Sequence, residues 1–255
     1  MSPVLEVEGL CKSYGGVRAV DGVSFSVPAG QVRALIGPNG AGKTTCFQLI
    51  SGFLPPDGGR VRFRGADITG RSPQQIVRLG LARTFQHCAV FSSMTVRENV
   101  QMALLAADRG GFAPWGSFAR RNRERARELL VLVGLADHDD QPAHNLPFAD
   151  LKRLEVAIAL AHKPALLLLD EPTAGMALGE RFALMELLLD LRRRLGVALL
   201  FTEHDLEVVF RFAEWVMVMD RGRLVAEGPP AAVRTDPTVR DVYLGDAPTS
   251  LPARG

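Results

Sequence analysis

The sequence is short of cysteine, of tyrosine and tryptophan, and of long apolar runs. Its 255 residues include 3 Cys, 2 Trp and 2 Tyr. Cys11, Cys46 and Cys88 are odd in number and far apart, and none belongs to a Cys-x-x-Cys pair. That disfavours a zinc site and a disulfide framework, and a reducing, cytoplasmic setting is expected. The longest uninterrupted apolar runs, residues 102–107 and 156–161, are six residues each. A membrane-crossing helix needs about 20, so no such span is expected. Residues 1–9 lack a charged start and an apolar core, and no secretory leader is expected. Charge of one sign is lacking too: 30 Lys and Arg face 28 Asp and Glu, a net charge of +2. A balance this even gives no electrostatic argument for nucleic acid as a partner. What is there is globular. The 47% hydrophobic and 23% charged residues fit a folded chain, and the length suits one large domain or one domain with a lobe.

The first part reads as strands. Leu5-Glu6-Val7-Glu8 and Val23-Ser24-Phe25-Ser26-Val27 alternate, and Val32-Arg33-Ala34-Leu35-Ile36 runs into a Gly-rich turn. Gly15-Gly16, Pro28-Ala29-Gly30 and Pro55-Pro56-Asp57-Gly58-Gly59 read as turns. A helix is expected from Lys43 to about Ser51. From about Ser72 to His162 helical patterns dominate, with helices expected over 96–107, 120–133 and 151–162. Arg120, Arg121, Arg123, Arg125 and Arg127 crowd the second of these. They read as a solvated face interleaved with Glu124 and Glu128, or as a surface toward a partner or anionic headgroups. The last part returns to strand–helix alternation. Residues 166–169 and 197–201 are apolar runs suited to buried parallel strands, and helices are expected over 179–195 and 205–212. Strands follow at 215–219 and 223–226, then a short helix and a Pro-rich end. Such alternation at both ends implies an α/β core carrying an inserted helical lobe.

The chemistry-bearing residues fall at the ends of these strands. Gly37-Pro38-Asn39-Gly40-Ala41-Gly42-Lys43-Thr44 fits a phosphate loop between a strand and a helix. Glycines let backbone N–H groups curl around phosphate oxygens, and the helix N-terminus adds positive potential. Lys43 is expected to reach the β- and γ-phosphates and Thr44 to ligate Mg²⁺. The run Leu166-Leu167-Leu168-Leu169-Asp170-Glu171 delivers two carboxylates at a strand's C-terminal end, where ligands sit in parallel sheets. Asp170 is placed for the Mg²⁺ shell and Glu171 to polarise an attacking water; alternatively both cap the turn at Pro172-Thr173. Gln86 could contact Mg²⁺ or the attacking water, His204 a γ-phosphate, and Tyr14 could stack on adenine. Each also has a bland reading: a surface amide, a solvated strand-end histidine, a half-buried strand aromatic.

Taken together, these ordered motifs resemble the ATP-binding cassette family of transport ATPases, over residues 5 to about 244. The resemblance implies Tyr14 as the adenine-stacking aromatic and Gly37-Pro38-Asn39-Gly40-Ala41-Gly42-Lys43-Thr44-Thr45 as the Walker A motif. It implies Gln86 as the Q-loop glutamine, Asp170 closing Walker B, Glu171 as the catalytic glutamate and His204 as the switch histidine. The expected fold is an α/β P-loop NTPase core, a mixed sheet with an antiparallel β part, with an inserted helical subdomain at approximately 87–163. Residues 1–245 would form one domain and 246–255 a flexible tail. The long insertion after Val100 and the ending Ala226-Glu227-Gly228-Pro229, Asp236-Pro237 and Tyr243-Leu244-Gly245 look like ATPase subunits of branched-chain amino acid importers. The resemblance implies ATP and Mg²⁺ as cofactors and a place on the cytoplasmic face of the membrane. Implied partners are transmembrane permease subunits, a second ATPase subunit and indirectly a solute-binding protein, with no nucleic acid. A lipid or lipopolysaccharide exporter ATPase, or a cassette outside transport, is the alternative.

One segment departs from the family pattern. Where Leu-Ser-Gly-Gly-Gln is usual, the chain has Leu146-Pro147-Phe148-Ala149-Asp150, and Ala177 replaces an aspartate common after Walker B. Pro147 removes a hydroxyl and an N–H donor, and Asp150 would repel a phosphate it faced. The expectation is asymmetry: paired with a different subunit bearing a regular signature, this chain's complete Walker side would form one good composite site and its altered signature a weaker one; alternatively Ala149 and Asp150 still offer backbone N–H groups and both sites work.

Overall fold

The computed structural model describes residues 3–84, 90–108, 120 and 122–244. The expected tail at 246–255, Gln86, and most of the insertion between 109 and 119 lie outside the described residues.

Two sheets form the framework. β1 (Pro3–Tyr14), β2 (Val17–Pro28), β4 (Gly58–Phe63) and β5 (Ala66–Asp67) make an antiparallel sheet in the order β2-β1-β4-β5. The second sheet has the order β10-β9-β3-β8-β7-β6. It comprises β3 (Val32–Ile36), β6 (Leu81–Thr84), β7 (Leu166–Asp170), β8 (Ala198–Thr202), β9 (Trp215–Asp220) and β10 (Arg223–Gly228). All of its pairings are parallel except β9 with β10. Gly58 and Gly59, which read as turn residues, belong to β4. A Cβ on Gly59 would lie 2.4 Å from the Gly9 carbonyl oxygen, so glycine is what lets β4 approach β1.

The parallel strands are apolar along their whole length because both faces are covered. In β7, Leu166 and Leu168 pack toward the antiparallel sheet and α1 (Lys43–Ile50). Leu167 and Leu169 pack on the opposite side, among α5 (Phe148–Leu160), α6 (Leu178–Leu195) and α7 (Leu206–Phe212). This alternation is the period of two that a strand imposes.

The helical block is built on α3 (Val96–Ala107), α4 (Arg123–Leu132) and α5. Val100, Leu104, Leu130 and Leu154 share one core with the sheet residues Leu167 and Phe201. Its helices begin at local signals. Thr95 and Glu98 form a reciprocal capping box at α3 (3.1 and 2.9 Å), as Ser72 and Gln75 do at α2 (Pro73–Leu79). α5 starts at Phe148, three residues earlier than the expected start at Leu151, with Pro147 as N-cap. Proline is tolerated there because that N–H would have no helical partner. The altered segment is therefore the first turn of α5, where Asp150 pairs with Arg153 at 3.5 Å. Among the described members of the arginine cluster, Arg120, Arg123, Arg125 and Arg127 are exposed, as a solvated face requires. Two short helices, α8 (Pro230–Thr235) and α9 (Pro237–Leu244), close the described chain.

Candidate functional site

β3 lies beside β8, and β8 beside β7. Their C-terminal ends therefore bring three segments to one edge, where ligands bind in parallel α/β sheets. These are the glycine loop after β3, Asp170 and Glu171 at the end of β7, and His204 just past β8.

The loop is shaped by close backbone contacts. A Cβ on Gly37 would meet the Met219 carbonyl oxygen at 2.1 Å, and one on Gly42 the Ala19 carbonyl oxygen at 2.2 Å. Gly40 faces open space, with nothing within 4 Å of such a Cβ. Pro38 is half-buried, Asn39 exposed and Ala41 buried. The Lys43 ammonium donates to the carbonyls of Gly37 (2.6 Å) and Pro38 (3.0 Å), so it lies along the loop. Burial holds it below the usual lysine range, while the Glu171 and Asp170 carboxylates act the other way. No side chain caps α1, which leaves its first-turn N–H groups, those of Lys43, Thr44 and Thr45, for an anion. The Thr44 side chain is exposed and that of Thr45 half-buried.

Asp170 is buried and held on both oxygens. Oδ1 accepts from Thr202 Oγ1 at 2.8 Å and Oδ2 from the Arg83 guanidinium at 2.8 Å. The next residue, Glu171, sits at φ +49°, a left-handed conformation unusual for a side chain of this kind. Its N–H donates to Thr202 Oγ1 at 3.1 Å. Its Oε1 accepts from His204 Nε2 at 2.7 Å; since a carboxylate only accepts, Nε2 is the protonated ring nitrogen here. Tyr14 is exposed at the end of β1, opposite Val17. It belongs to the same hairpin as Ala19, whose carbonyl oxygen abuts Gly42.

Four further residues join this edge beyond the site residues expected from the sequence: Arg83, Thr202, Glu203 and Tyr243. Polar side chains inside otherwise apolar strands, Arg83 after Ala82 and Thr202 after Phe201, are the signal that marks two of them. Glu203 is buried; its Oε1 accepts from both the N–H (2.9 Å) and the hydroxyl (2.7 Å) of Thr173. Its Oε2 accepts from the His204 N–H at 3.3 Å. It therefore ties the turn after Glu171 to the histidine. Burial pushes the Tyr243 phenol up, and the Gly37 backbone facing it acts the other way, so the last helix touches the head of the loop.

Burial also holds the Glu203 carboxyl above the usual range, against its hydrogen bonds from Thr173 and His204. The native state then binds that proton more tightly than the unfolded chain does. The stability it contributes is complete below the ordinary carboxylate pKa and is lost as pH rises through the native one. The wild-type unfolding free energy, relative to Glu203→Gln, should be greatest near the acid end and decline toward neutrality. Urea titrations across that range would check it; parallel profiles would remove Glu203 as the titrating group.

The donors suit a magnesium nucleotide. Glycine backbone and an uncapped helix start favour phosphate, and a hydroxyl with a carboxylate offers hard oxygen ligands. Among the described residues no cluster of three or more His, Cys, Asp or Glu could hold a metal ion by itself. That is the situation in which Mg²⁺ relies on substrate phosphates and one or two protein oxygens.

Comparison with known proteins agrees with this geometry. Residues 20–174 match the ABC transporter family, and residues 223–248 match the branched-chain amino acid ATP-binding cassette transporter family. The chain is 38% identical over 252 residues to the high-affinity branched-chain amino acid transport ATP-binding protein LivG of Escherichia coli (strain K12), covering 96% of this chain and 99% of LivG. The protein BraF of Pseudomonas aeruginosa, which carries the same description, matches with the same identity and coverage. Among solved structures, the ADP conformation of an ATP-binding cassette of an ABC transporter has a TM-score of 0.86 at 33% identity, covering 96% of this chain and 100% of that one. A nucleotide-free ATP-binding cassette gives 0.84 at the same identity and coverage. With the loop, the paired carboxylates and the histidine brought to one sheet edge, the chain belongs to the ABC transporter family of ATP-binding cassettes.

Proposed function

We propose that this chain is the ATP-binding and ATP-hydrolysing subunit of an ABC importer for branched-chain or related amino acids. The observation that carries the reading is the Glu171–His204 hydrogen bond at 2.7 Å on the edge that also holds Lys43 and Asp170. The solute class rests on the relatives, which are named for branched-chain amino acid transport. They do not favour the exporter alternative. In this reading residues 1–245 act as one cassette, with residues 87–163 as its helical subdomain.

The chain's residues divide the work. The loop from Gly37 to Thr45 cradles the phosphates, and Tyr14 stacks on the adenine. Thr44, Asp170 and Gln86 would hold Mg²⁺, which supplies charge neutralisation at the phosphates when bound. Lys43 leaves the carbonyls of Gly37 and Pro38 for the γ-phosphate and holds it together with His204. Glu171 orients the attacking water and accepts its proton, and His204 keeps that carboxylate in place. A second cassette would complete the site. Because the first turn of α5 carries Pro147, Ala149 and Asp150, we place the stronger composite site on this chain's Walker side, closed by a different subunit.

No helix among the described residues is long and apolar enough to cross a membrane. From its likeness to transport ATP-binding proteins, we place the chain on the cytoplasmic face, docked on permease subunits that a solute-binding protein supplies. A groove between α2, β6 and α5, lined by Phe53, Ile76, Val77, Arg83 and Ile158, supports a docking place there, two residues short of Gln86. The test is co-purification from native membranes followed by ATPase assay with candidate solutes. Leucine, isoleucine or valine should raise turnover through a co-purified permease. Stimulation by a lipid alone would overturn the importer reading.

A further inference from the structure

We propose that Arg83 is a positioning residue: it aims the Asp170 carboxylate at the metal, and it ties that carboxylate to the groove beside α5. The proposal rests on the reading of Asp170 as a metal-side ligand. The side chain of Arg83 is 8% exposed and that of Asp170 3%. One end of the guanidinium donates to Asp170 Oδ2 at 2.8 Å and another to Ser51 Oγ at 3.0 Å. Ser51 is anchored in turn, donating to the Phe47 carbonyl at 2.6 Å. The guanidinium also lies over the Phe53 and Phe47 rings, at 5.7 and 6.0 Å from their centroids. It is thus fixed in both direction and plane.

Asp170 is held from both neighbouring strands, by Arg83 of β6 and Thr202 of β8. Each oxygen accepts one of these bonds and keeps a second lone pair. The carboxylate cannot rotate without breaking both. Outer partners of this kind set how well a ligand grips its metal, commonly by 10- to 100-fold in affinity. Arg83 also lines the groove, so a group entering there meets the residue that orients Asp170. A merely neutralising cation would need no second anchor on Ser51.

Two substitutions separate orientation from charge. Arg83→Lys keeps the charge but cannot span Ser51 and Asp170 with a planar fork. Ser51→Ala removes the far anchor and leaves the ion pair. The whole chain is titrated with Mn²⁺ at saturating ATP, read by electron paramagnetic resonance, and with ATP alone in EDTA by calorimetry. About tenfold weaker Mn²⁺ binding is expected for Arg83→Lys and a smaller loss for Ser51→Ala, with ATP affinity in EDTA within about twofold of wild type. Mn²⁺ affinities unchanged in both variants would overturn the positioning role. Failure of the wild-type chain to bind ATP would overturn the nucleotide reading itself.

Discussion

Glu171→Gln should bind ATP about as tightly as wild type and hydrolyse it about 10²- to 10⁴-fold more slowly, the usual contribution of a positioned base. That corresponds to about 3–5 kcal/mol of transition-state stabilisation. The substitution is nearly isosteric. Its amide oxygen can still accept from His204 Nε2, the contact that spans 2.7 Å in the structure. The backbone bond from residue 171 to Thr202 does not involve the side chain at all. What is lost is the capacity to take a proton from water. Single-turnover assays beside equilibrium nucleotide binding would separate the two effects. Near-normal turnover with intact binding would remove Glu171 from the chemistry.

The second large effect is steric. Gly42→Ala should destabilise the chain by about 2–6 kcal/mol, adding strain in the backbone to overpacking, and should weaken ATP binding at least tenfold. Gly42 sits at φ +102°, and its new Cβ would lie 2.2 Å from the Ala19 carbonyl oxygen and 3.2 Å from the Met219 Cε. The hairpin of β1 and β2 would have to retreat from the loop that it abuts. Gly40→Ala is the matched control. Its φ is +79°, but nothing lies within 4 Å of the added atom, so only about 1–2 kcal/mol of left-handed backbone cost is expected. Urea unfolding of both variants checks the contrast. Equal losses would mean that crowding at Ala19 is not what demands glycine.

The parts of the fold and site that the sequence discloses are those with local causes. Glycines ahead of Lys43 announce a loop because only backbone without side chains can curl so tightly. The leucines of β7 and the apolar run of β8 announce buried parallel strands, and the polar residues that directly follow are then candidates by position alone. What position alone does not disclose is the pairing: Arg83 meets Asp170 from a neighbouring strand, and Glu203 meets Thr173 in the turn after another strand, and sequence distance says nothing about which strands become neighbours. α5 starts ahead of its expected position for a different reason. Proline reads as a breaker, yet Pro147 stands at the position where a missing N–H costs nothing. Gly59 misleads in the same way, reading as a turn residue when the approach of β1 and β4 is what calls for it.

The placement of β3 has a consequence for biosynthesis. Its partners are Ala198–Thr202 and Trp215–Asp220, and the Gly222 N–H donates to the carbonyl of Ala41 inside the loop. A ribosome that has finished the glycine loop must therefore still synthesise the chain as far as Asp220 before the strands flanking that loop exist. Pairings between segments so distant are slow to form. A nascent chain ending before β9 would lack the strand whose Met219 carbonyl oxygen abuts Gly37, so the loop cannot take up its final packing until that strand has emerged.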